Sequence, residues 1–519
     1  MRIWPLFLVL VGGSIVPLVA IAQQPGPLTD TTLRFQVTLG KGVLPEPADG
    51  RVLVVLSRNT KSEPRKGVSH YGPDVAAILG ADGMAMRPGQ TVVLDRSSAI
   101  FPLANLARLP PSVYAVQAVF AHNRDLNFVN APGNLYSATA VAQIDPAKGG
   151  TVSLDLTQAV PADQPPPDTE YVKYIKLRSE HLSKFHGRPM YLRAAVILPR
   201  GFAAEKDRQY PLRVHIGGYG SRYTHAGNMM DPSASFRKTW LADGTPRMLL
   251  LHLDGAGPFG DPYQVNSANN GPYGDAITTE LIPHVEKTYR GIGQGYARVL
   301  DGGSTGGWVS LALQIAHPEL FNGAWSRAPD PVDFRAYELI NIYKDDSAYV
   351  NAQGYDRPAS RELNGDTRST VRHECRLERV LGQGDRWELS GLDWAAWNAT
   401  FGPRGEDSLP RPLWDGKTGK IDRTVVDHWK KYDLRMVMEN SWPTLGPKLR
   451  GKLHISVGDA DEYFLNNAVY LLDDFFRRAK PAYGGSIIYG RGRGHDWDPQ
   501  GEAERMREMA NAIAAGAKN

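Results

Sequence analysis

A mainly parallel, doubly wound α/β sheet preceded by an all-β domain is the fold class this sequence predicts. Three observations carry the prediction. Between residues 33 and 157, short alternating runs recur with Gly, Pro, Asn and Asp between them and little helical periodicity. Residues 161–168 are proline-rich, the composition of a stiff, extended spacer. From residue 191 onward, strand-like runs alternate with helical ones, the pattern of a parallel sheet covered on both faces. Composition fits a globular chain: 519 residues, 42% hydrophobic and 22% charged, with a net charge of +4. That balance offers no electrostatic case for a nucleic-acid partner. The single Cys375 closes no intramolecular disulfide and leaves no thiolate framework for a metal.

Taken in order, residues 1–22 read as an export signal. Arg2 is the charged start, Leu6 to Leu18 is almost wholly apolar, and Ala20-Ile21-Ala22 fits a small-x-small cleavage site. The apolar stretch falls short of the roughly 20 residues of a membrane span. The expectation is a secreted or periplasmic protein with no stable membrane insertion after cleavage. Residues 33–39 (Leu-Arg-Phe-Gln-Val-Thr-Leu) alternate strictly, as a strand with one buried face does. Similar runs at Arg51–Ser57, Thr91–Asp95, Val113–Ala121, Ala138–Ile144 and Thr151–Thr157 predict a β-sandwich, Ig-like domain over residues 30–160. Residues 161–169 form the linker and 170–519 the α/β domain. Strands are predicted at Tyr191–Leu198, Leu212–Ile216, Met248–Leu253, Ala297–Leu300, Gly323–Ser326, Leu453–Val457 and Ser486–Tyr489. Helices are predicted at Asp275–Arg290, Gly307–Ala316, Asn466–Arg478 and Glu502–Ala515.

The strongest chemical signal is Gly302-Gly303-Ser304-Thr305-Gly306, a G-x-S-x-G directly after a predicted strand and before a predicted helix. A tight turn there projects Ser304 from the strand's C-terminal end, beside the free N–H groups of the helix N-terminus. A serine hydroxyl needs a base to take its proton. Of the later histidines, His454 lies inside a strand and His428 in a polar helix. His495 lies in a glycine-rich loop, Gly490-Arg-Gly-Arg-Gly494-His495, after the last strand, where a base can reach over the serine. The acid is expected after the preceding strand. Asp461 is the first choice to orient His495, with Asp459 as its competitor. An oxyanion hole requires backbone donors. The Thr305 N–H supplies one, and Tyr219 or Gly218, in His215-Ile-Gly-Gly-Tyr-Gly220, supplies the other.

The sequence resembles the esterase D-like putative esterase family of the α/β-hydrolase superfamily, which includes feruloyl and siderophore esterases. The resemblance rests on His215–Gly220, Asn269-Asn-Gly-Pro-Tyr-Gly-Asp-Ala276, Gly302–Gly307, Gly458–Asp461 and Gly494-His495. It implies an α/β-hydrolase fold and serine ester hydrolysis, and it says little about substrate. The chain departs from the family in its N-terminal β-domain and in a long, lid-like insertion at residues 327–451. Six of the eleven tryptophans lie there: Trp387, Trp394, Trp397, Trp414, Trp429 and Trp442. Most are expected to fill a subdomain core, while some form a wall for a bulky sugar or phenolic group. Trp308 and Trp497, next to the catalytic motifs, are candidate substrate contacts.

No metal-ligand spacing or dinucleotide fingerprint stands in the right context, so no cofactor or metal is expected. The acidic Asp459–Glu462 cluster offers only a thin case for Ca²⁺. The expected function is exported hydrolysis of a small-molecule or polymer-linked carboxylic ester through an acyl-enzyme on Ser304. An acyltransferase or peptidase with the same triad is an alternative. A carbohydrate- or ligand-binding protein on an inactive hydrolase scaffold is another of a different class.

Overall fold

The structure, a computed structural model, describes residues 30–68 and 75–518. The proposed export signal lies outside the described residues. Nine strands make up the N-terminal sheet: β1 (Arg34–Leu39), β2 (Ala48–Ser57), β3 (Ala77–Met86), β4 (Thr91–Leu94), β5 (Ala99–Phe101), β6 (Ser112–Ala121), β7 (Leu135–Ser137), β8 (Ala140–Ile144) and β9 (Thr151–Ala159). Their order is β4-β1-β9-β7-β6-β2-β3-β5, with β8 also on β6. All nine belong to one hydrogen-bonded network, because β6 pairs with β2, β7 and β8 alike. Phe35, Val37 and Leu156 from one half meet Val54, Leu79 and Phe120 from the other in one core. The strand β3 escapes sequence reading because Gly80 and Gly83 interrupt its strand-like composition.

Residues 161–169 form no helix or strand but are fastened to the second half of the chain. Asp163 pairs with Arg193 and, at 3.8 Å, with Arg222.

The second half is built on eight strands. They are β10 (Val172–Ser179), β11 (Met190–Ile197), β12 (Leu212–Ile216), β13 (Leu249–Leu253) and, after the short pair β14 (Asn266–Ser267) and β15 (Gly271–Pro272), β16 (Arg298–Gly303) and β17 (Ala324–Arg327). After the hairpin β18 (Pro358–Arg361) and β19 (Thr367–Thr370) come β20 (Leu453–Gly458) and β21 (Ser486–Gly490). The sheet order is β10-β11-β13-β12-β16-β17-β20-β21. The β10–β11 and β11–β13 pairings are antiparallel and the rest are parallel. This mixed, doubly wound sheet with a serine at a strand-to-helix turn is an α/β-hydrolase fold. Its central strands are buried on both faces and read as largely apolar runs, such as Leu249–Leu253, where His252 is the one polar residue.

Helices α1 (Glu180–His186), α2 (His225–Met229), α3 (Ser235–Leu241), α4 (Tyr273–Asp275), α5 (Ile282–Tyr289) and α6 (Thr305–Ala316) precede β17. The single helix predicted over 275–290 is three pieces, because a π-helical segment, Ala276–Leu281, separates α4 from α5. Pro283 has no N–H to give and its ring crowds the preceding turn, so the backbone widens there. The Thr278 and Thr279 hydroxyls donate back to the Gly274 and Asp275 carbonyls at 2.8 and 2.7 Å.

Between β17 and β20 the chain adds α7 (Val371–Leu381), α8 (Asp393–Phe401), α9 (Arg423–Trp429) and α10 (Leu434–Leu449); α11 (Asn466–Arg478) and α12 (Gly501–Gly516) follow. All six tryptophans between β17 and β20 are buried in the main core, with Trp387 and Trp414 stacked at 4.7 Å. The added segment also docks on the N-terminal sheet. Leu53, Val55 and Val119, on the second face of β2 and β6, pack with Leu377, Val380 and Leu381 of α7. Arg51, 4% exposed, ties the joint: its guanidinium donates to the Val380 carbonyl at 2.8 Å, to Asp82 at 2.8 Å and to Asp385 at 2.5 Å. At Gly80, a Cβ would stand 2.2 Å from the Val380 carbonyl oxygen, so only glycine permits this approach.

Candidate active site

The turn from β16 to α6 holds Ser304 at φ 56° and ψ −125°, a strained conformation for a residue with a side chain. It persists because its surroundings leave no alternative. A Cβ on Gly306 would lie 2.0 Å from the Ile216 carbonyl oxygen, and one on Gly302 would lie 2.4 Å from the Gly306 backbone. The Ser304 N–H donates to the Arg327 carbonyl at 2.9 Å, tying the turn to the end of β17. Below it, Arg213 on β12 grips Asp301 on β16 through two hydrogen bonds of 2.8 and 2.7 Å. Burial works against that carboxylate, but Arg213 and His215 hold its pKa well below the ordinary range.

The loop after β21 brings His495 over the same end of the sheet. Its Nδ1 lies 2.8 Å from Asp461 Oδ2. Asp461 is fully buried, and its other oxygen accepts the Tyr463 and Leu465 N–H groups at 2.9 and 3.3 Å. Burial alone would lower the His495 pKa, but the hydrogen bond and charge of Asp461 raise it above its ordinary value. The competitor Asp459 instead accepts the Gly492 N–H at 2.6 Å and braces the loop that carries His495.

Ser304, Thr305, Gly218, Tyr219 and His495 all line one cavity of about 560 Å³. Thr305 is the first residue of α6, where the backbone N–H has no acceptor within the helix. A Cβ built on Gly218 would be 3.8 Å from the Ser304 Cβ, so that loop lies against the serine. The Tyr219 ring reaches away from it, and its hydroxyl donates to the Gly391 carbonyl at 2.5 Å.

Sequence reasoning missed Asp330, which lies in the loop after β17. Its Oδ1 accepts the Ser304 hydroxyl at 3.2 Å. Its Oδ2 accepts from Tyr263 (2.5 Å), Thr305 (2.9 Å) and the Trp397 indole (3.1 Å). Burial pushes its pKa up, while those three donors and His495 pull against that.

Two expected substrate contacts need correction. Trp308 is 1% exposed and packs on Tyr263 and Phe401 in the core, outside the cavity. Trp497 lies against Gly490, where its ring fills the space a Cβ would need, and is likewise not part of the cavity wall. Trp394 and Trp397 of α8 line it instead, with Glu338, Glu374 and Asp393. Among the described residues, no group of three or more His, Cys, Asp or Glu side chains is placed to hold a metal ion.

The fold and the turn at Ser304 define the class as an α/β-hydrolase. Residues 255–466 match the family model described as putative esterase, from the loop after β13 to the start of α11. Among solved structures, a ferulic acid esterase is similar at 15% identity, covering 67% of this chain and 98% of its own, with a TM-score of 0.38. An S-formylglutathione hydrolase from Agrobacterium tumefaciens is similar at 13% identity, covering 68% and 97%, with a TM-score of 0.36. One from Staphylococcus aureus is similar at 15% identity, covering 66% and 100%, with a TM-score of 0.37. A search of curated proteins finds no match.

Proposed function

We propose that this chain is an exported serine esterase that cleaves carboxylic esters through an acyl-enzyme on Ser304. The observation that carries the reading is that His495, 2.8 Å from the buried Asp461, lines the same cavity as the strained Ser304. In the proposed reaction the Ser304 hydroxyl leaves Asp330 and gives its proton to His495 Nε2 as its oxygen attacks the ester carbonyl. Asp461 keeps the His495 Nδ1–H in place and stabilises the imidazolium. The Thr305 N–H and that of Tyr219 or Gly218 hold the oxyanion. His495 then protonates the leaving alcohol, and a water activated by His495 releases the acid.

Fluorophosphonate labelling followed by peptide mapping tests the reading. An adduct at Ser304, absent in Ser304→Ala together with p-nitrophenyl ester turnover, is expected. Active protein without that adduct would overturn it. Export rests on the pattern of residues 1–22, and a mature N-terminus at Gln23 in the exported fraction is the expected result. No helix among the described residues is long and apolar enough to cross a membrane.

A further inference from the structure

One wall of the Ser304 cavity has no part in that chemistry. It comes from the chain between β17 and β20 and presents Glu338, Glu374, Asp393, Trp394 and Trp397. Glu338 is 5% exposed, and its buried Oε2 has no hydrogen-bond partner. Its backbone is held at φ 51°, a strained setting for a residue with a side chain, and such strain gathers at ligand-binding positions. Asp393 Oδ1 is likewise buried and unpartnered. Glu374 differs, because its Oε2 accepts the Trp394 indole N–H at 2.8 Å.

The wall also gathers acids. The strongest charges acting on Glu338 are those of Glu374, Asp393, Asp330 and Asp461, all carboxylates. Those acting on Asp393 are Glu374, Asp330 and Asp261. Buried carboxyls are ordinarily paired or fully hydrogen-bonded, and these two are neither. They share their wall with two indoles, whose π-systems attract cations most strongly where water is displaced.

We propose that this wall is a cation subsite, and that the preferred ester carries a positively charged nitrogen, ammonium or guanidinium, held by Glu338 and Asp393 beside Trp394 and Trp397. The proposal rests on the esterase reading for its consequence and on the wall alone for binding. A neutral hydroxyl would satisfy one carboxyl oxygen but would do nothing to favour ionisation of the acids grouped here. A cation answers both. Burial and the neighbouring carboxylates push the pKa of Glu338 and of Asp393 well up, as expected of acids that lack a counter-charge.

The test compares two ester pairs on the intact protein. One is the p-nitrophenyl ester of trimethylammoniobutyrate and its neutral isostere with carbon in place of nitrogen. The other is butyrylcholine and its neutral carbon isostere. The expected result is that kcat/KM favours the cationic member of at least one pair by about tenfold or more, a gap worth about 1.4 kcal/mol. Glu338→Gln should reduce that ratio about tenfold or more, since one of the two acids that hold the cation is lost. Asp393→Asn, at a less buried position, serves the same purpose if Glu338→Gln does not fold.

Calorimetric titration of Ser304→Ala with butyltrimethylammonium reads the subsite without turnover, and wild-type protein replaces it if that variant is unstable. Cation binding without hydrolysis of any ester would sink the esterase reading and leave the subsite standing. Hydrolysis with no preference for the cation in either pair, and no bound cation, would overturn the subsite and leave the esterase reading intact. An unchanged ratio in folded Glu338→Gln and Asp393→Asn would overturn the assignment to these carboxyls.

Discussion

Asp461→Asn separates a catalytic dyad from a structural contact. In the folded protein, one oxygen of Asp461 faces His495 Nδ1 at 2.8 Å and the other accepts two backbone N–H groups. An asparagine keeps the backbone contacts only by turning its carbonyl oxygen toward Tyr463 and Leu465. Its amide NH2 then faces Nδ1 and donates to it. That bond selects the tautomer with the proton on Nε2, which cannot accept a proton from Ser304. The expected loss in kcat is about 10⁴-fold, as for the same change in other triads. At 1.36 kcal/mol per tenfold this is about 5 kcal/mol of transition-state stabilisation. The assay is the pH dependence of p-nitrophenyl ester turnover.

If His495 acts as the base in the proposed reaction, its neutral form is the active one, so rate should rise with pH through a pKa held above its ordinary value by Asp461. In the variant, burial still lowers that pKa while the raising contribution of Asp461 is gone. The rising limb therefore moves to lower pH. A loss of less than about tenfold, or a limb that stays in place, would refute the assignment of Asp461.

Three further outcomes are expected. Asp330→Asn replaces a carboxylate that accepts four donors, and Trp397 can only donate, so the amide oxygen stays on the Trp397 side and the NH2 turns to Ser304. Urea unfolding should show a loss of about 1–3 kcal/mol while fluorophosphonate labelling of Ser304 persists; abolished labelling would assign Asp330 a role in proton transfer. Gly80→Ala places a Cβ where the Val380 carbonyl stands, and a destabilisation of about 1–3 kcal/mol is expected from the midpoint of urea unfolding. Arg51→Met removes the hydrogen bonds to Val380, Asp82 and Asp385 but keeps the side-chain bulk, with an expected loss of about 1–3 kcal/mol because Asp82 and Asp385 remain partly solvated.

What the sequence made legible was local. The turn at Ser304 declares itself because strand, glycines and helix are contiguous, and Asp461 and His495 each follow a readable strand. Asp330 did not, since only the neighbouring position of β17 in the sheet brings its loop against Ser304. Trp308 misled for the opposite reason. It is close in sequence to the serine, but on α6 it points into the core with Tyr263 and Phe401. Two clues were visible and unused. Pro283 inside the predicted helix marked the place where the backbone widens. The unbroken apolar run Val52-Leu-Val-Val-Leu56 announced a strand covered on both faces, and α7 is the cover.

The docking of α7 on the N-terminal sheet has a consequence for how this protein is made. The helix has two duties: Leu377, Val380 and Leu381 face the sheet, while Glu374 reaches the cavity wall. Residues 30–160 leave the ribosome long before α7 does, and domains generally fold as they emerge. The early sheet is then a ready mould against which α7, and with it part of the cavity wall, is cast. Ser304 and His495 lie in the later half of the chain, yet the shape of the cavity they line is set in part by segments synthesised first. Cutting the chain at its linker would therefore remove the support of a pocket wall rather than free a self-sufficient enzyme.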